Sequence, residues 1–376
     1  MNLFGQKYIR GQYLMRNEAV EMESRKIQKV GAATLTISLP KTWAELRNLK
    51  KGDQVFLVED GEALKVLPGP AAEDRHRIAT EFIIDADLCE EPGMLERVIV
   101  GNYVLGREKI IIRSALRLRS GHQDEVRGTI RRLMGIGIIE EGPSKVVLQC
   151  SINPSNYPLE SLVKRLYNLG STMLMEALEA LMTGDMAMAE DAIKREDDAD
   201  MMYWLILRFI LSAQLDEALV EQLGLRSRIE IPGYRVIARD LETVADHSHD
   251  VAVYVKQILM QGTRVPGSVL RALQAFSDEI GQAYSRALGG LLSRDLKQAN
   301  EAIRIASGIE KREHDLVRLV QKEVKDLRNP KMIIPLSGIF GSMAQIADYA
   351  QNIAVIAFNR YLEKPSNLCR PASPSA

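Results

Sequence analysis

From residue 158 to about 363 the chain writes one helical theme twice, and this duplication limits its possible folds more than any other feature. The stretch RDLETVADHSHDVAVYV at 239–255 returns at 341–357 as GSMAQIADYAQNIAVIA, with Val244-Ala245-Asp246 answered by Ile346-Ala347-Asp348. Leu159, Leu162, Leu166, Leu169, Met173 and Leu174 recur at steps suited to one apolar helix face. Breakers fall at Thr183-Gly184-Asp185, Ile231-Pro232-Gly233, Gly262 to Gly267, Ser293-Arg294-Asp295 and Asn329-Pro330. They leave three helices before Gly262 and three after it, which predicts tandem three-helix bundles over 155–262 and 266–363.

The residues upstream follow other periods. Between 24 and 69 the alternation of Thr34, Thr36 and Ser38 with Leu35, Ile37 and Leu39 predicts a half-buried strand, and Glu59-Asp60-Gly61-Glu62 predicts a hairpin turn. Four short strands make a poor core alone, so a strand-sharing homodimer is expected. Over 75–151 the order strand, helix, strand, helix, hairpin predicts a small α+β unit, turned at Gly142-Pro143. The tail 364–376, rich in Pro, Ser and Ala, is expected to be disordered. The fold class expected is thus multidomain: a small β swapped-hairpin domain, an α+β domain, then two all-α bundles.

Charge divides unevenly along the chain. Residues 25–51 carry seven Lys or Arg and one acid, whereas 185–200 carry seven acids and two cations. One end suits a polyanion and the other suits cations or water. Arg25, Lys26, Lys29 and Lys41 are the candidate phosphate-contacting residues for DNA. A second basic group, Arg113, Arg117, Arg119, Arg127, Arg131 and Arg132, reads as a solvated helix side. Cys89, Cys150 and Cys369 are scattered without a CxxC pair, which argues against a zinc knuckle or a disulfide framework. With no apolar run long enough for a membrane span, no membrane insertion and a cytoplasmic location are expected. Gly-rich phosphate loops, GxSxG and HExxH are absent, so the reading is not that of an enzyme.

The acids of the first bundle form a pattern of their own. At about 100° per residue, Glu196 and Asp200 fall inside the apolar arc of the helix that follows Asp185, where two carboxylates need Arg, a shared proton or a metal ion. On the 239–255 helix, Ile237, Leu241, Ser248, Val251 and Val255 make the buried seam. Glu242, Asp246 and Asp250 lie on the far side, expected wet, and with His249 they offer several ligand atoms on one face.

Two resemblances follow from these residues. Gly31 to Pro68, with its SLPK turn, short helix and KKGDQV, resembles the AbrB/SpoVT swapped-hairpin family, which implies a dimer that commonly binds DNA. Ala32 and Ala33 stand where many DNA-binding members of that family carry a basic residue. The segment 155–363, through RDLETVADHSHDVA, resembles the PhoU family of phosphate-uptake regulators. That resemblance implies metal ligation by Glu196, Asp200, Glu242, Asp246 and Asp250 in the first bundle and by Asp348 in the second. The ion would be divalent or trivalent, of the iron, magnesium or zinc kind. In the second copy Ala344, Gln345 and Asn352 replace Glu242, Thr243 and Asp250, and Glu310, Glu313 or Asp315 supplies the acid on the partner helix. The function implied is control of phosphate uptake and homeostasis, coupling the bundles to DNA through the N-terminal head. The partners implied are components of a phosphate ABC transporter or an associated signalling protein. The alternative is an adaptor of that transporter whose head only dimerises the chain.

Overall fold

The computed structural model describes residues 23–31, 34–60, 63–68, 81–262, 264–326 and 330–372. The chain divides into two compact units, Met1–Ile78 and Ala79–Ala376.

In the first unit β1 (Gln28–Val30) pairs antiparallel with β2 (Thr34–Thr36) across Gly31, whose φ of +68° only glycine adopts freely. Helix α1 (Lys41–Leu46) follows, then β3 (Val55–Asp60) pairs antiparallel with β4 (Ala63–Pro68). Gly61 and Glu62 of the expected hairpin turn, and Ala32 and Ala33, lie outside the described residues. The expected half-buried face is not buried within the chain. Ile27, Leu35 and Leu57 are 66%, 67% and 62% exposed, and no residue of this unit whose burial is described is buried. Two ribbons of such short strands cannot stack enough side chains to exclude water.

The second unit opens with the α+β part: β5 (Glu81–Asp85), α2 (Met94–Val104), β6 (Lys109–Arg113), α3 (Ser120–Arg131), β7 (Ile136–Glu141) and β8 (Lys145–Cys150). The sheet order is β5-β6-β8-β7, with β5 and β6 parallel and the other pairs antiparallel. Ile84, Ile110, Ile112 and Leu148 are buried, as are Leu95, Ile99 and Tyr103 of α2. Glu125 on α3 accepts the backbone N–H groups of Gly93 and Glu96, which satisfies free donors at the start of α2. Arg127 and Arg132 pair with Glu141 and Glu96, in keeping with a solvated basic helix side.

The helical part comprises α4 (Leu159–Thr183), α5 (Met186–Lys194), α6 (Glu196–Leu215), the short α7 (Glu217–Gln222) and α8 (Ile231–Met260), then α9 (Gly267–Ser293), α10 (Leu296–Ala306), α11 (Ile309–Asp326) and α12 (Ile333–Leu362). The middle rod of each bundle is broken, so the continuous helix expected after Asp185 is two helices meeting at Arg195. There the Arg195 guanidinium makes two 2.8 Å hydrogen bonds to Glu176 of α4. Ser307-Gly308 marks the same break in the second copy. Asp185 and Asp295 cap α5 and α10 alike, each accepting two backbone N–H groups of the first turn.

Helices α8 and α12 run antiparallel at the centre: Gly233 lies against Ile356 and Arg360, and Gly338 lies against the ring of Tyr254. A Cβ on Gly170 would stand 3.3 Å from Val244, so this glycine lets α4 approach α8 closely. The α+β part is fastened to the first bundle by buried Arg208 of α6. Its Nη1 donates to the carbonyls of Tyr103 (2.5 Å) and Arg107 (3.0 Å), and its Nη2 to that of Gly106 (3.3 Å), at the C-terminal end of α2. The tail from 364 holds no helix or strand through 372, and 373–376 lie outside the described residues.

Candidate metal centre

Asp200 comes from the second turn of α6, while Glu242 and Asp246 come from successive turns of α8. One carboxylate oxygen from each lies within 4.8 Å of the others. The face of α8 expected to be wet is therefore covered at Glu242 and partly at Asp246, while Asp250 stays exposed. Helix α6 packs on it, leaving Glu242 only 7% exposed and Asp246 half-buried. A helix in the middle of a bundle has more than one buried seam, and a single seam counted from Val244 misses the second.

Burial and mutual repulsion raise the affinity of these groups for protons. Desolvation, then the charge of Asp246, lifts Glu242 to about 7. The same two causes lift Asp200 to about 6. Asp246 is raised mainly by burial, against the pull of Arg239. The nearest compensating charge is Arg239, whose Nη1 lies 2.8 and 2.7 Å from the two oxygens of Glu242. Arg239 is hydrogen-bonded to Glu242, and the charge of Arg132 also acts on Asp200, yet the pKa of all three carboxylates remains raised, and such a crowded set is suited to a hard or borderline cation.

The other expected ligands stand aside from this triad. Glu196 pairs with His249 at 3.1 Å, and its pKa is raised by burial first, with Asp246 also contributing. Exposed Asp250 faces His247 at 3.8 Å. The rim of the cluster is thus already occupied by imidazole partners. In the second bundle Asp348 keeps much of its surface in water, and its pKa is raised first by the partial desolvation of its inner side and then by the charge of Glu310. Glu310 precedes the buried Leu316 and Val320 as Asp200 precedes the buried Ile206 and Ile210, so the second copy keeps one acid on each helix and has Ala344 in place of Glu242.

Residues 163–255, which contain the whole triad, match the PhoU domain family. The chain contains a PhoU domain. Residues 28–74 match the family described as antidote-toxin recognition MazE, bacterial antitoxin, so a MazE/AbrB-like segment precedes the PhoU domain. Among solved structures, PhoU from Pseudomonas aeruginosa is 19% identical, with 55% of this chain and 96% of that chain covered at a TM-score of 0.46. A protein described as a PhoU-like phosphate regulatory protein, from Shewanella oneidensis MR-1, is 17% identical, with 56% and 99% covered at 0.37. No curated protein matches the chain. Among the described residues no helix is long and apolar enough to cross a membrane.

Sequence reasoning missed several residues near the PhoU domain. Buried Glu230 bonds Arg294 at 2.7 Å and Arg360 at 3.3 Å, joining the start of α8 to the ends of α9 and α12. Arg294, which caps α9 where Gly184 caps α4, has a φ of +53°, and its pairing with Glu230 holds it there. A lone arginine inside the apolar run WLILRFIL was the available signal for Arg208. Of the expected DNA contacts, Arg25 pairs with Glu23 and Lys41 lies 3.7 Å from Glu45, while Lys26 and Lys29 are exposed.

Proposed function

We propose that this chain regulates phosphate uptake and homeostasis through a cation held by its first helical bundle. The convergence of Asp200, Glu242 and Asp246 inside the PhoU domain carries this reading. Carboxylate oxygens alone make the donor set, and a divalent or trivalent ion would offset charge that Arg239 only partly neutralises. The chain acts by binding rather than by catalysis. A cation bridging α6 and α8 would stabilise one arrangement of those helices, and a partner that recognises this arrangement would feel the difference.

At the N-terminus the MazE/AbrB-like segment serves as a homodimerisation unit. Its exposed Ile27, Leu35 and Leu57 need a cover, and a second copy supplies the matching strands. Exposed Lys26 and Lys29 then contact DNA phosphates, coupling the bundles to transcription. The ion pairs already formed by Arg25 and Lys41 favour a second reading, in which this unit only dimerises an adaptor of a phosphate ABC transporter in the cytoplasm.

Metal analysis of chain purified without chelator, alongside Asp246→Asn, tests the cation. The wild type retains metal and the variant does not, while equal metal content in both sinks the reading. Phosphate uptake in cells carrying either chain tests the regulatory role, with uptake that ignores the substitution counting against it. A gel shift with Lys26→Gln/Lys29→Gln separates the two readings, since DNA retention that is unchanged by the double substitution leaves only the adaptor.

A further inference from the structure

Whichever oxygen of Glu242 a cation takes is already bonded to one nitrogen of Arg239, since Nη1 lies 2.8 and 2.7 Å from the two. A donor at nearly equal reach of both oxygens sits between them, where an ion held by both would sit. The Thr243 hydroxyl, 3.3 Å from Oε2, adds a second donor to the same carboxylate. Ligation through both oxygens is therefore blocked while Arg239 stays, and an ion on either one meets a full positive charge close by.

The other cationic or titratable nitrogens near the triad have acids of their own. Arg132 pairs with Glu96, His247 faces Asp250, and His249 pairs with Glu196. Among the described residues Arg239 is the one cation bonded to a member of the triad. It is also free to leave. The Arg239 side chain is 57% exposed and that of Glu242 only 9%, so the guanidinium reaches the carboxylate from the solvent side. An ion pair with one partner largely in water is weakly held, and Arg239 returns to solvent by turning its own flexible stem.

We infer that Arg239 is a displaceable counter-ion that competes with the cation for Glu242, so that the site fills only as the guanidinium swings out into solvent. This rests on the cation reading above and adds to it how that site is regulated. Arg239 stabilises the empty triad and thereby raises the cation concentration needed to fill it.

Calorimetric titration of the full, metal-stripped chain with Mn²⁺ tests it, at about pH 8.5 so that few protons compete for the carboxylates. Arg239→Gln binds Mn²⁺ about tenfold more tightly than the wild type, because a like charge has gone from the site. Arg239→Lys, which keeps the charge, gains less than Arg239→Gln. In chelator Arg239→Gln melts at a lower temperature than the wild type, since Glu242 has lost its counter-ion. A residue that only shapes the site would lower stability and affinity together, whereas a competitor lowers the first and raises the second. Mn²⁺ binding that Asp246→Asn abolishes, yet that is equal or weaker in Arg239→Gln, overturns the inference and leaves the cation reading standing. Binding by neither the wild type nor Arg239→Gln removes both.

Discussion

Arg239 reaches one turn along α8 to Glu242 and donates to both of its carboxylate oxygens, at 2.8 and 2.7 Å. The pair leaves Asp200 and Asp246 facing Glu242, where Arg132 acts on Asp200 and His247 and His249 act on Asp246 without cancelling the upward shifts of either acid. The folded chain without a bound cation therefore holds a surplus of negative charge in a half-buried place, and its stability depends on how that surplus is neutralised.

Protons are one means. Glu242 and Asp200 titrate near 7 and 6 in the folded chain, above the usual carboxylate range near 4 that they have when unfolded. Between those values the folded chain holds more protons than the unfolded one. Stability without added metal thus falls as pH rises from about 4 to about 7 and levels off beyond. Thermal melts in chelator across that range check the sign, and Asp246→Asn flattens the slope by removing the repelling partner.

Cations are the other means. At pH 7.5 a divalent ion at one hundred times its dissociation constant adds about 2.7 kcal/mol to the stability of wild-type chain. In Asp246→Asn and in Glu242→Gln the increment disappears. Melting curves with and without chelator read this directly, and an increment that survives both substitutions places the ion elsewhere.

The buried knot at the base of the bundles makes a different demand. Arg360→Met strips Glu230 of one of its two cations and costs about 3 kcal/mol, because a buried carboxylate is left undercompensated. Glu230→Gln combined with Arg360→Met costs less than the two single changes added together, since the charges share one network. Denaturant titration of the three variants checks both statements.

Arg208→Met removes three hydrogen bonds to carbonyls at the C-terminal end of α2 and costs about 2–4 kcal/mol. Hydrogen exchange is expected to rise first around residues 103–107, with the second bundle unchanged.

The exposed strands of the first unit give a test of assembly. Leu57→Glu alters a side chain that is 62% exposed within one chain, so it is nearly neutral if the protein is a monomer. If a second copy covers that face, light scattering shows dimer turning to monomer while the helical circular dichroism stays as it was.

The duplicated trios of helices, the hairpin at Gly142-Pro143 and the α+β order were legible because they rest on local periods and breakers, which the chain carries residue by residue. The matching of Asp246 with Asp348 was legible for the same reason. The depth of Glu242 was not, because α6 covers a second face of α8 and no one-helix count includes a neighbour. Glu310 was singled out from Glu313 and Asp315 only when α11 and α12 were packed together. Likewise Arg239 with Glu242, Glu196 with His249, Glu230 with Arg294 and Arg360, and Arg208 with the end of α2 are pairings whose energy depends on distance and burial. The amino-acid sequence by itself determined which residues turn into helices and which acids recur along them. Only the tertiary structure decided which of those acids meet and lose their water, since desolvation and charge repulsion act through space rather than along the chain.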